Sequence, residues 1–239
     1  MKHDMQPFIE GCAAMQIALD EQKRAAFETY LSLLLEWNQK FNLTAIREPR
    51  QIMVQHFLDS ISLLQLDIIQ EEDSVLDLGS GAGFPGIPIK IMLPQISLTL
   101  VDSVQKKVRF LNEAIKQLNL DQSEALHARA EDLAREADKR EAYDVVVSRA
   151  VGEMRVLAEY CLPFVKQDGY FISHKGPGAA DELALAGKAL SILKGKWLET
   201  RQVDIPFSER THNLVVVKKT GKTPNLYPRS AGLPKKTPL

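Results

Sequence analysis

Val75-Leu-Asp-Leu-Gly79-Ser-Gly81-Ala-Gly83-Phe-Pro-Gly86 joins a short apolar run to a cluster of glycines. The run reads as a buried strand, and the glycines let the backbone turn sharply and pass close to a ligand. Downstream, short apolar runs alternate with helical patterns. Strands are expected at 74–78, 97–102, 124–127, 143–148, 170–174, 199–205 and 214–218. Val104, Val108, Leu111, Ile115 and Leu118 alternate spacings of four and three, which places one apolar stripe on a helix, and further helices are expected at 153–164 and 179–193. Such alternation predicts a doubly wound, mostly parallel α/β sheet.

Upstream the texture is helical. Behind Asp20 as N-cap, Phe27, Tyr30, Leu31 and Leu34 recur at helical spacing to about residue 38, and a second stretch runs over 50–66. Residues 1–70 are therefore expected to form a helical extension packed on the core, with the sheet domain over 71–220. A basic, proline-rich tail at 221–239 is expected to lie extended.

The composition, 45% hydrophobic and 26% charged over 239 residues, suits one globular core. Neither a signal peptide nor a membrane-spanning run is recognisable, so a cytoplasmic protein is expected. Cys12 and Cys161 suggest neither a disulfide nor a metal site, and both are expected to be reduced and packed. From Arg210 onward there are seven basic residues and no acids, leaving 23 basic and 31 acidic residues in the rest of the chain. That separation suits a polyanionic partner, or simply a solvated tail.

The glycine loop itself admits two ligands. Gly81-Ala-Gly83-Phe-Pro-Gly86 matches a dinucleotide fingerprint, and Asp102 ends the next strand where an acid can bind ribose hydroxyls. Against a pyrophosphate stand Asp77, an acid at the mouth of the loop, and Pro85 and Pro88, which remove helix donors. S-adenosylmethionine carries a sulfonium and an ammonium and no phosphate, so it suits Asp77 better. Alternatively Asp77 caps the loop and Asp102 caps the next helix. Glu131 lies where an adenine edge would sit, although it also reads as a first-turn helix acid. Ser148 and Arg149 end a strand buried on both faces and should project into the ligand crevice. An ion pair of Arg149 with Asp144 or Glu153 is the alternative.

Together with the glycine loop, His56-Phe-Leu-Asp59-Ser60, Val147-Ser-Arg149-Ala150, Lys175-Gly176 and Tyr227-Pro-Arg229-Ser-Ala-Gly-Leu-Pro234 resemble the small-subunit (16S) ribosomal RNA guanine-N7 methyltransferase family, once called glucose-inhibited division protein B. The resemblance runs from about Leu31 to Pro234. It implies a class I S-adenosylmethionine-dependent methyltransferase fold, Rossmann-like with seven strands and a helical N-terminal extension. It also implies cofactor contacts at Gly79, Phe84, Ala130, Glu131 and Arg149, to which the loop reading adds Asp77, Gly81 and Asp102.

The implied substrate is a guanine of 16S ribosomal RNA or the small ribosomal subunit, with no metal and a monomeric enzyme. A ring nitrogen with a free lone pair needs no general base, and the five histidines and two cysteines suggest no nucleophile–base set. Arg149 is the first candidate for touching the cofactor or the base during transfer. His56, Lys175, Arg229, Lys235 and Lys236 are the candidate RNA contacts. His56 and Asp59 share a helix face, where an ordinary surface hydrogen bond is the alternative; for Lys175 it is a plain turn. Trp37 and Trp197 read as core. A small-molecule methyltransferase and a dinucleotide-binding regulator are the competing functions.

Overall fold

The computed structural model describes residues 3–149 and 152–239, so Ala150 of the Val147–Ala150 motif lies outside the described residues. Among the described residues seven strands form one sheet in the order β3-β2-β1-β4-β5-β7-β6. They are β1 Ser74–Leu78, β2 Ser97–Asp102, β3 Ser123–His127, β4 Tyr143–Arg149, β5 Val165–Lys175, β6 Gly195–Val203 and β7 His212–Lys219. The first five run parallel, and β7 pairs antiparallel with both β5 and β6. The strand order reverses between β1 and β4, which puts the ligand crevice beyond their carboxyl ends.

Alternation along each strand separates two cores. Val75, Leu98, Val145 and Ile172 face one side with the N-terminal helices, while Leu76, Val101, Val146 and Phe171 face the other. The first side carries α1 Gln6–Ala14, α2 Glu21–Phe41, α3 Pro49–Ile52 and α4 Asp59–Ile61, with a π-turn at Met53–Leu58 and a 3-10 turn at Ser62–Leu66. It also carries α5 Gly86–Met92 and α6 Gln105–Gln117, whereas α7 Ala130–Leu133, α8 Met154–Cys161 and α9 Ala179–Ile192 pack on the opposite side. A last short helix, α10, spans Leu233–Lys236. No described helix is long and apolar enough to cross a membrane.

The N-terminal helices are fastened to the glycine loop by aromatic contacts. Tyr30 stacks on Phe57 at 5.3 Å and tilts against Phe84 at 5.5 Å. Its buried hydroxyl donates to the Ala82 carbonyl. The Asp20 cap takes the Lys23 N–H at 2.7 Å, as its position predicts.

Helix α1 lies within the expected 1–70 helical extension, though no bounds were read for it. Three expectations need correction. Strand β5 starts at Val165 because Tyr143 pairs with Val165 and Val145 with Tyr170, so the polar Lys166–Gly169 stretch bulges out of an otherwise paired strand. Trp197 lies on the edge strand β6 and is half exposed, whereas Trp37 packs against Phe41 and Phe110. The 221–239 segment is not a free tail. Arg140 donates to the carbonyls of Thr223 and Tyr227 at 2.9 and 3.0 Å, Arg135 donates to that of Pro228 at 2.8 Å, and Pro234 is buried.

Candidate functional site

The glycine loop follows β1 with Gly79, Gly81 and Gly83 at φ of +77°, +61° and +94°. Side chains rarely adopt these angles, and a Cβ on Gly83 would fall 2.4 Å from Ile87 Cδ1 and 2.8 Å from the Tyr30 hydroxyl. Asp77 sits beneath this loop with no solvent exposure. One of its oxygens accepts the Gly86 N–H at 2.8 Å and the other has no partner. Burial pushes its carboxyl up to about 7. Asp77, first read as a ligand of sulfonium or ammonium, braces the loop from beneath and does not line either cavity of the crevice.

That brace decides between the two cofactors. At the start of α5 the Gly86 N–H is taken by Asp77, the Ile87 N–H by Gly83 O at 2.8 Å, and Pro88 has none. A pyrophosphate needs those donors, so the dinucleotide reading loses its anchor. A ligand without phosphate fits what remains. Asp102, nearly buried, accepts the Gly81 N–H at 3.0 Å and the Val104 N–H at 2.8 Å, which fixes its carboxylate where two cavities join. It caps the loop as well as facing the crevice. One cavity, of about 200 Å³, is lined by Gly79, Asp102, Ala130, Glu131 and Tyr160. The other, of about 350 Å³, is lined by Gly79, Gly81, Phe84, Asp102, His56 and Arg149. The crevice therefore gathers every residue first assigned to the cofactor except Asp77.

Arg149, at the end of β4, is the hub of the far wall. Its partner is neither Asp144, which binds Lys166, nor Glu153, which binds Arg155. It donates instead to Asp59 Oδ2 at 2.8 Å, to Gln55 O at 3.1 Å and to His56 Nδ1 at 3.1 Å. Its guanidinium lies 4.9 Å over the Phe84 ring, on which His56 also stacks at 4.6 Å. Guanidinium has only donors, so His56 Nδ1 accepts and Nε2 carries the proton toward Thr44 Oγ1, 2.8 Å away. Asn38 holds the Thr44 loop through Thr44 O and N, both at 3.0 Å. Burial, together with the Arg149 charge, lowers His56 to about 3.

On the other side of Arg149 lies a cavity of about 630 Å³ bordered by Asp59, His174, Lys175, Arg210 and His212. His212 Nδ1 meets Asp59 Oδ1 at 2.8 Å, and His174 Nε2 lies 3.0 Å from Asp59 O. Burial opposes ionisation of Asp59, but the His212 hydrogen bond and the Arg149 guanidinium hold its carboxyl below the usual range. Among the described residues no group of three or more His, Cys, Asp or Glu is placed to hold a metal. His174, His212, Thr44 and Tyr160 were not singled out by sequence, since each stands outside a recognisable spacing.

Three basic candidates stand differently from the first reading. Lys175 Nζ is taken by Glu182 at 2.6 Å and Gly152 O at 2.7 Å, so it borders the cavity without a free charge. Arg229 is taken by Glu159 and is no free RNA contact. Lys235 lines the smaller cavity beside Glu131, and Lys236 is exposed.

The buried imidazoles give a pH prediction. His56 and His174 are held neutral below the ordinary value of 6.5. The unfolded chain therefore binds protons that the native chain refuses, and their contribution is lost as pH falls from 6.5 toward 3. Asp77, raised to about 7, acts oppositely and offsets one of them. Urea unfolding should show stability falling as pH is lowered from 6 to 5. Asp77→Asn should steepen the fall. Stability that rises on acidification over that range contradicts the assignment.

A family model described as rRNA small subunit methyltransferase G matches residues 23–213. The chain is 50% identical over 230 residues to a ribosomal RNA small subunit methyltransferase G of Desulforamulus reducens, with 96% of each chain covered. It is 48% identical over 230 residues to the protein so named in Alkaliphilus oremlandii, again with 96% of each covered. Among solved structures, a SAM-dependent methyltransferase from Aquifex aeolicus is similar in fold, with a TM-score of 0.55 at 17% identity over 75% of this chain and 97% of that one.

Proposed function

This chain belongs to the rRNA small subunit methyltransferase G family, and from that membership we propose that it methylates N7 of a guanine in small-subunit ribosomal RNA, using S-adenosylmethionine. The observation that carries the cofactor half is the start of α5, where Asp77 and Pro88 leave no donor for a phosphate. The substrate half rests on the family.

Bound S-adenosylmethionine would supply a methyl carbon on a sulfonium, whose transfer to N7 would release a neutral thioether. The protein's share is positioning. Gly79 and Gly81 would admit the ligand close to the backbone, and the fixed Asp102 carboxylate would accept the ribose hydroxyls. Phe84 and Arg149 wall the transfer point. N7 has no proton to lose, and no base is offered there: His56 is neutral with both ring nitrogens engaged. The cavity beyond Arg149, with Arg210 and His212 at its rim, is the side from which the RNA approaches.

Labelled S-adenosylmethionine offered to small ribosomal subunits, and separately to their RNA, from a strain lacking this gene should label one guanine. Borohydride–aniline cleavage should map it as N7-methylguanine. A labelled base of another kind, or transfer only to small molecules, overturns the reading.

A further inference from the structure

The chain does not end at the sheet. Beyond β7 it crosses the face opposite the N-terminal helices and returns to the crevice. Thr223, buried, donates its N–H to Glu141 at 2.7 Å, and Arg140 and Arg135 hold the carbonyls of Thr223, Tyr227 and Pro228. Arg229 then clasps Glu159 of α8. Its N–H, Nε and Nη2 reach that fully buried carboxylate at 2.8, 2.9 and 2.6 Å. At Gly232 the backbone turns with φ +81°, and the Gly232 N–H donates to Glu131 Oε1 at 2.8 Å. Tyr160 borders the same cavity as that carboxylate. Gly232 and Lys235 then border the smaller cavity beside Gly79, Asp102 and Ala130.

The cavity wall is thus assembled from three segments far apart in sequence: the glycine loop, the turn after β3, and residues 232–235. From this we infer that the C-terminal segment is part of the cofactor site, with Gly232 positioning the Glu131 carboxylate and residues 232–235 closing the pocket over the adenosine end of the ligand. The inference rests on the reading of this crevice as the S-adenosylmethionine site. It gives the segment a role different from holding RNA by charge. In the closing end Leu233 is 38% exposed while Pro234 beside it is buried, so polar anchors carry part of its attachment. A ligand that meets such a segment should tighten it, and the segment should in turn tighten the ligand by the same factor.

The test compares the full chain with a chain ending at Ala231, which keeps the Arg229 clasp and loses the pocket wall. Calorimetry with S-adenosylhomocysteine as the probe should show affinity weakened about tenfold in the shorter chain, the scale of one hydrogen bond to a charged acceptor. In the full chain, amide exchange over residues 227–239 should slow when the probe is added. The full-length Gly232→Pro variant, which removes the donor and cannot adopt the native φ, should reproduce the affinity loss if the shorter chain folds poorly. Equal affinities within twofold, or exchange that ignores the probe, overturn the inference while leaving the cofactor reading intact. A full chain that does not bind the probe at all overturns both.

Discussion

Arg149→Lys should lower kcat/KM on small ribosomal subunits by at least about 10²-fold, the scale expected when a wall of the reaction site shifts by about an ångström. The reason is geometric, since both side chains are cations. One planar fork serves Asp59, the Gln55 carbonyl and His56 while its face lies on Phe84. An ammonium on a flexible stem can keep the ion pair to Asp59, but it cannot also hold His56 Nδ1 and lie flat on the ring. With His56 released, the Thr44 loop that Asn38 fastens loses its contact to the crevice. The cofactor pocket beside Glu131 lies on the other side of Asp102 and is untouched. Affinity for S-adenosylhomocysteine should therefore fall much less than kcat/KM, and the thermal midpoint should report the cost of the altered Asp59 pair separately. A lysine variant within threefold of wild type would remove Arg149 from the transfer point.

The sheet was legible because its strands are bounded by strong signals. β1 and β2 lie at the residues their apolar runs predict, and Asp20 caps the helix it precedes. Helix α1 was legible only as part of the helical 1–70 stretch, and it carries Pro7 near its start. In the first turn its missing N–H costs nothing, and Phe8 and Cys12 then bury one turn apart. The loop's ligand class was readable from Asp77 and Pro88, and the structure adds that the Asp77 carboxylate fills the helix start by accepting the Gly86 N–H. His56, Asp59 and Arg149 were named separately, but nothing in their spacing told that one guanidinium ties them together across 90 residues. The π-turn at Met53–Leu58, where the Asp59 N–H reaches back to Val54 O, also lies outside any α-helical reading of the His56–Asp59 spacing. Least legible was the C-terminal segment. Its basic residues read as a free cationic tail because charge counts ignore partners, and the partners of Arg229 and Lys219 are a glutamate and carbonyls from distant elements.

Removing one side of the Arg229–Glu159 clasp should show how much of the fold that segment carries. Arg229→Ala leaves a carboxylate with no solvent exposure and no cation, and such a buried, uncompensated charge costs about 3–5 kcal/mol. Against the 5–15 kcal/mol typical of a domain, that is enough to lower the urea midpoint substantially. The loss should not measure the worth of the ion pair itself, because withdrawing both charges from water cancels much of their attraction. The double variant Arg229→Leu with Glu159→Leu should therefore recover most of the stability, leaving a deficit of about 1 kcal/mol from the lost Arg229 N–H bond to Glu159. The single variants Arg229→Leu and Glu159→Leu and the double variant form a cycle whose coupling energy should be large and favourable. If Arg229→Ala unfolds within about 0.5 kcal/mol of wild type, water or another group reaches Glu159, and the segment is not clasped to α8 in solution.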